Sequence, residues 1–132
     1  MIIRRHMLRI GTLAGLGLAM GRRAFSKDPV ASKPIPSSGE RIPVIGLGTN
    51  QYGVEGAEAR VPLKEVLQRM PELGGKVIDT APAYGRSEEV LGDLLTELSN
   101  RERYFLATKV TAPEGSVERG RAMLEESIRR LK

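Results

Sequence analysis

The sequence predicts an α/β fold, parallel strands covered by helices, on three observations. From about residue 40 the chain alternates three times between a short apolar run and a stripe with the spacing of a helix face, which is the pattern of successive βα units. The centres of these runs are apolar, as in parallel strands buried on both faces by helices. Gly46-x-Gly48 is followed by Gln51 where a dinucleotide-binding turn needs its third glycine. A doubly wound nucleotide fold is therefore disfavoured, and a β/α barrel remains. The chain is read as about the first three βα units of that barrel, preceded by an N-terminal hairpin.

The first element is a leader, residues 1–27. A basic stretch ending at Arg9 precedes an uncharged run from Ile10 to Met20, closed by Arg22 and Arg23, which is the layout of a signal peptide. As a helix, those 11 residues would reach only about 16 Å, against roughly 30 Å of hydrocarbon, so no stable membrane span is expected. Arg4-Arg5-His6-Met7-Leu8-Arg9 resembles a twin-arginine export signal, with Met7 and Arg9 in place of its usual Phe and Lys and Ile3 in place of a polar residue. Gly11, Thr12, Ala14 and Gly15 give the weakly hydrophobic segment of that route. Ala24-Phe25-Ser26 is the nearest approach to a cleavage site.

Residues 28–39 carry Pro29, Pro34 and Pro36 with Ser32, Ser37 and Ser38, a linker composition. Its last part predicts a hairpin, Lys33 to Pro36 and Arg41 to Val44, turning at Ser37-Ser38-Gly39. The barrel portion, residues 40–132, follows. Val44 to Gly48 reads as the first strand. Leu63 to Leu73 reads as a helix with Leu63, Val66, Leu67, Met70 and Leu73 on its buried face, its last turn cut short by Pro71. Gly74-Gly75 turns the chain into a second strand, Lys76 to Thr80. Ser87 is the expected cap of the second helix, Glu88 and Glu89 suit its positive end, and Val90, Leu91, Leu94, Leu95 and Leu98 form its stripe. Tyr104 to Val110 is the third strand. The third helix starts at Ser116 and aligns Gly120, Leu124, Ile128 and Leu131.

Charge argues against nucleic acid as a partner. The net charge is +5, but six of the 21 basic residues precede Asp28, the first acid, and the rest of the chain holds 15 basic against 16 acidic residues. Basicity thus belongs to the leader. With no cysteine, disulfides, thiolate metal sites and a cysteine nucleophile are excluded, and no metal site is expected.

Three chemistry-bearing residues fall at the carboxyl ends of strands: Asp79 at the end of the second, Tyr84 in the loop after it, Lys109 near the end of the third. In a β/α barrel that is the catalytic rim. An ammonium beside a tyrosine hydroxyl stabilises the phenolate, and a carboxylate keeps the ammonium charged and oriented. Such a tyrosine can act as a proton donor. The bland alternative for Asp79 and Lys109 is a structural ion pair. For Thr49 it is a hydroxyl bonded to backbone, for Gly46-x-Gly48 close packing, and for Tyr52 and Tyr104 a loop and a core residue. Arg129, Arg130 and Lys132 suit a helix C-terminus without any binding role.

Ile42-Pro43-Val44-Ile45-Gly46-Leu47-Gly48-Thr49, Ile78-Asp79-Thr80-Ala81-Pro82-Ala83-Tyr84-Gly85 followed by Ser87-Glu88, and Leu106-Ala107-Thr108-Lys109-Val110 closely resemble the aldo/keto reductase family, in order and at its spacing. The resemblance implies a (β/α)8 TIM barrel that reduces an aldehyde or ketone by hydride transfer from NADPH, with NADH as the alternative donor. It implies Tyr84 as general acid, Lys109 as the group that eases its proton release, and Asp79 as the holder of Lys109 and a ligand of the nicotinamide ribose. It further implies Gly48 and Thr49 beside the cofactor, and Asn50, Gln51 and Tyr52 on the first substrate-side loop, with Tyr84 also touching substrate. The family's fourth catalytic residue, a histidine, has no counterpart here, since the sequence reaches Lys132 before the fourth strand and His6 lies in the leader. The 132 residues alone are therefore expected to be inactive and unstable.

Two rival expectations stand beside this one. A barrel could hold a nicotinamide cofactor as a non-catalytic, redox-sensing subunit. The leader, if uncleaved, could instead tether the chain to a membrane. Export implies the twin-arginine machinery as a partner and a periplasmic or extracytoplasmic location; an unused leader implies the cytoplasm.

Overall fold

The computed structural model describes residues 30–111 and 116–132. The expectations for the leader, and for Asp28 and Pro29, lie outside the described residues. Two short strands, β1 (Ser32–Pro34) and β2 (Arg41–Pro43), form the antiparallel hairpin, with Lys33 opposite Ile42. Gly39, at φ 72°, supplies the left-handed residue its turn requires. A parallel sheet follows, β3 (Gly46–Gly48), β4 (Val77–Asp79) and β5 (Phe105–Ala107), in the order β3-β4-β5. Leu47, Ile78 and Leu106 stand side by side in its register.

The hairpin displaces the start of the first barrel strand. Val44 donates its amide to the Ala31 carbonyl at 2.9 Å, so Val44 still belongs to the hairpin. Strand β3 begins only at Gly46, and Val44 and Ile45 are exposed where a buried strand was expected, Ile45 at 71%. Gly46 lies so close to β4 that a Cβ would stand 3.0 Å from Val77 Cγ1.

Helix α1 (Ala57–Arg69) starts six residues before the predicted Leu63; its first turns are largely exposed and carry no buried stripe that spacing could reveal. Pro71 ends it as expected and opens a single 3-10 turn, Pro71–Leu73. Only Leu67 of its predicted face is fully buried. Val66 and Leu73 instead line an apolar groove of about 600 Å³ with Val30, Ile45, Leu47 and Met70, beside the edge of β3 that bears no strand among the described residues.

Helix α2 (Ser87–Glu97) packs between α1, α3 and the sheet. Val90, Leu91, Leu94 and Leu95 form the centre of the core with Ile78, Leu67 and Tyr104, and a helix enclosed on so many sides is apolar over most of its circumference. Ser87 is its first helical residue rather than its cap; Arg86 takes the cap position, with Gly85 at φ 61° turning the chain into the helix.

Helix α3 (Val117–Leu131) starts one residue after the predicted Ser116, which caps it instead, Ser116 Oγ accepting from the Arg119 amide. Of its predicted face Leu131 is buried, whereas Leu124 and Ile128 are 42% and 62% exposed and Ser127 is buried in their stead. Small residues decide the contact. A Cβ on Gly92 of α2 would overlap the Arg130 carbonyl oxygen and stand 3.1 Å from the Leu131 Cα, so the helices meet backbone to backbone at the end of α3, where Leu131 enters the core.

Candidate active site

The site stands where β4 and β5 end. β4 ends at Asp79, and the strands' register sets Asp79 beside Ala107, two residues before Lys109. The Thr80 amide donates to the Ala107 carbonyl at 2.8 Å, so the two chain ends stay paired past the regular ladder. Lys109 Nζ reaches back to donate to Asp79 Oδ1 at 2.8 Å and Oδ2 at 2.6 Å, and to the Thr80 carbonyl at 3.1 Å. Three acceptors match the three protons of an ammonium.

Tyr84 closes the site from the loop. Its amide donates to the Ala81 carbonyl and its carbonyl accepts from Ser87, a tight turn that returns the ring toward the strand ends. Lys109 Nζ lies 4.9 Å from the ring centroid, within range of a cation–π attraction. The structure therefore brings Asp79, Tyr84 and Lys109 together as one cluster. The Asp79 carboxylate holds the Lys109 ammonium above its usual range; solvent loss opposes this, and the Tyr84 hydroxyl adds to it. The ammonium is not buried, however, because the Lys109 and Asp79 side chains are 46% and 48% exposed.

Thr49 is fully enclosed. Its hydroxyl and its amide both donate to the Asp79 carbonyl, at 3.0 and 3.1 Å. The threonine thus clamps the backbone that carries the carboxylate, the alternative weighed against cofactor contact. Gly48, directly before it, is exposed, and a Cβ there would meet nothing within 4 Å.

Asn50 and Gln51 are exposed on the first loop, but Tyr52 departs from its expected place. It is 6% exposed and belongs to the core cluster, because the loop folds inward and burial of a large ring outweighs its exposure. Burial also raises its hydroxyl's proton affinity. With the ring turned into the core, direct contact with a substrate is not available to it in this geometry. Its effect is on the neighbouring loop: at Gly53 a Cβ would stand 3.2 Å from the Arg86 amide, and Glu55 pairs with Arg86 at 3.5 Å. The first loop thereby braces the loop that carries Tyr84.

The sequence reading missed the role of Glu88, assigned only to the helix dipole. Glu89 is the exposed one, paired with Arg86 at 3.1 Å. Glu88 turns inward and is fully buried, accepting from Thr108 Oγ1 at 2.7 Å and from Arg130 Nη1 at 3.4 Å. Its place in the Ser87-Glu88 pair that follows Tyr84-Gly85 was the available signal. Among the described residues no group of three or more His, Cys, Asp or Glu could hold a metal, and no helix is long and apolar enough to cross a membrane.

Comparison with known proteins bears on the same residues. Residues 44–132 match the sequence model of the Aldo/keto reductase family. An NADPH-dependent codeinone reductase of Papaver somniferum is 32% identical over 102 residues, which cover 73% of this chain and 30% of that protein. A methylglyoxal reductase of Escherichia coli is 35% identical over 102 residues, covering 75% and 35%. The structure of an aldo-keto reductase from Klebsiella pneumoniae in complex with NADPH aligns with a TM-score of 0.61 at 32% identity, over 77% of this chain and 36% of that one. The chain spans about a third of the length of these curated relatives. Its three βα units form a partial (β/α)8 barrel.

Proposed function

The chain belongs to the aldo/keto reductase family, and we propose that it supplies the proton-donating side of an active site that reduces aldehydes or ketones with NADPH. The observation that carries this reading is the convergence of Asp79, Tyr84 and Lys109 at the strand ends. Tyr84 donates a proton to the carbonyl oxygen as that oxygen gains negative charge. Lys109 stabilises the phenolate left behind, and Asp79 keeps the lysine charged and aimed. The codeinone and methylglyoxal reductases support a small carbonyl compound as substrate. Asn50 and Gln51, exposed on the first loop, are the residues of that loop with access to it.

The residues present fit the nicotinamide end of such a cofactor, which when bound supplies the hydride. Asp79 offers a half-exposed carboxylate whose lone pairs exceed the two taken by Lys109, so ribose hydroxyls can donate to it. Gly48 leaves the neighbouring strand end open to close approach. Thr49 contributes by holding Asp79 in place. The test is NADPH oxidation by the full-length protein with a panel of aldehydes and ketones. Alcohol formed in step with NADPH consumed is the expected result. Tight NADPH binding without turnover would instead favour the non-catalytic, redox-sensing subunit.

Export by the twin-arginine route, to the periplasm or another extracytoplasmic space, is part of this proposal. Arg4-Arg5 and the glycine-rich segment after Arg9 support it, as does the chemistry: that route carries folded proteins, so a cofactor can be loaded before export. The mass of the mature N-terminus checks it. Loss of about the first 26 residues, the length of a signal peptide, is expected, and an intact Met1 in a cytoplasmic fraction contradicts it.

A further inference from the structure

We propose that Glu88 is a positioning residue for the proton-donating site, coupling the loop that carries Tyr84 to the strand end that carries Lys109. This rests on the reading of Tyr84 as proton donor and extends it to a buried group that the reaction itself does not touch.

The geometry runs in two directions from one carboxylate. Toward the tyrosine, Glu88 lies in the first turn of α2, whose leading amide, that of Ser87, donates to the Tyr84 carbonyl at 3.2 Å. Toward the lysine, Glu88 Oε1 accepts from Thr108 Oγ1 at 2.7 Å, and Thr108 is the residue before Lys109. Neighbouring side chains on an extended segment point to opposite sides. Fixing the Thr108 hydroxyl under α2 therefore fixes the rotation of the backbone that sends Lys109 the other way, to Asp79 and Tyr84.

Stability alone is a poor reason for this carboxylate. Glu88 is fully buried while its cationic partner Arg130 is 31% exposed, 3.4 Å away and shared with Glu126, which it meets at 2.8 Å. A carboxylate removed from water and answered by one long, shared contact gains little over an apolar side chain of the same volume. What an apolar side chain could not do is hold the Thr108 hydroxyl by a short, charge-assisted bond. The hydrogen-bonding groups around Glu88 are Thr108 from the end of β5 and Arg130 with Glu126 from α3.

Thr108→Val in the full-length protein deletes the donor and keeps the shape. We expect kcat to fall about tenfold, KM for NADPH to hold, and the alkaline limb of the kcat profile to move up by about one pH unit as Lys109 loses its aim. Glu88→Gln retains an oxygen that can accept from Thr108 and is expected to keep the limb at its original position. A merely structural role would lower the melting temperature of Thr108→Val and leave the limb unmoved, and that result overturns the proposal. Thr108→Ala, which adds no bulk, gives the same reading should the valine variant not fold. Tyr84→Phe assayed alongside separates the two levels. If it is inactive while the Thr108 variants keep the wild-type limb, only the positioning role falls; if it is fully active, the proton-donor reading falls and takes this one with it.

Discussion

Lys109 donates to both carboxylate oxygens of Asp79, at 2.8 and 2.6 Å, across a sheet in which β4 and β5 run parallel. A two-pronged contact fixes direction as well as distance, and it directs the ammonium toward the Tyr84 ring 4.9 Å away. Replacing Lys109 by Met removes the charge and keeps the length, and carbonyl reduction should fall about a hundredfold or more. Asp79→Asn leaves the lysine the Thr80 carbonyl and one side-chain oxygen, so a smaller loss, about tenfold, is expected. Steady-state kinetics on the two variants check the order; an Asp79→Asn loss exceeding that of Lys109→Met contradicts it.

Gly92 sits where α2 meets α3, and a Cβ there would overlap the Arg130 carbonyl. Backbone cannot yield as a flexible side chain can, so Gly92→Ala must push the helices apart. A cost of about 2 kcal/mol or more is expected, or a melting temperature lower by about 5 °C in a protein of the relatives' length. Thermal unfolding of the full-length protein followed by circular dichroism reads this directly. An unchanged midpoint would mean that α3 does not pack on α2 in this way.

The Tyr104 hydroxyl is pushed up to about 12 by burial, above the value near 10 of an unfolded chain. The raised group therefore contributes its full stability below about pH 10, and that contribution is lost as pH rises from there to about 12. Tyr104→Phe should flatten that alkaline decline. At neutral pH its cost should be only about 1 kcal/mol, because Tyr104 and Asn100 both donate to the Leu67 carbonyl, at 2.6 and 2.9 Å, and the amide remains when the hydroxyl is gone. Urea unfolding across that pH range measures both effects.

Local chemistry made much of this fold legible. The stripe from Val90 to Leu95 is buried as its spacing requires, Pro71 stops α1, and α3 starts within one residue of Ser116. Asp79, Tyr84 and Lys109 were legible because strand ends in a β/α barrel gather on one rim, so their positions followed from where each strand stops. What escaped depended on contacts remote in sequence. Leu124 and Ile128 have the right spacing for a buried face, but of the large residues on that face only Leu131, at the contact with Gly92, is buried. Tyr52 reads as a loop residue until the core that receives it is built, and Thr49 reads as a cofactor neighbour until its bond to the Asp79 carbonyl is seen. Glu88 resembles any acid at a helix start, and nothing local says that Thr108 will stand beneath it.

The central claim is that Tyr84 gives up a proton under the influence of Lys109 and Asp79. Its most direct test is single-turnover reduction of a carbonyl substrate by the NADPH-bound, full-length protein, wild type against Tyr84→Phe. Loss of the hydroxyl should slow the chemical step by a factor of about 100 to 10,000 while NADPH binding is retained. A Tyr84→Phe protein that reduces its substrate at the wild-type rate would contradict the account.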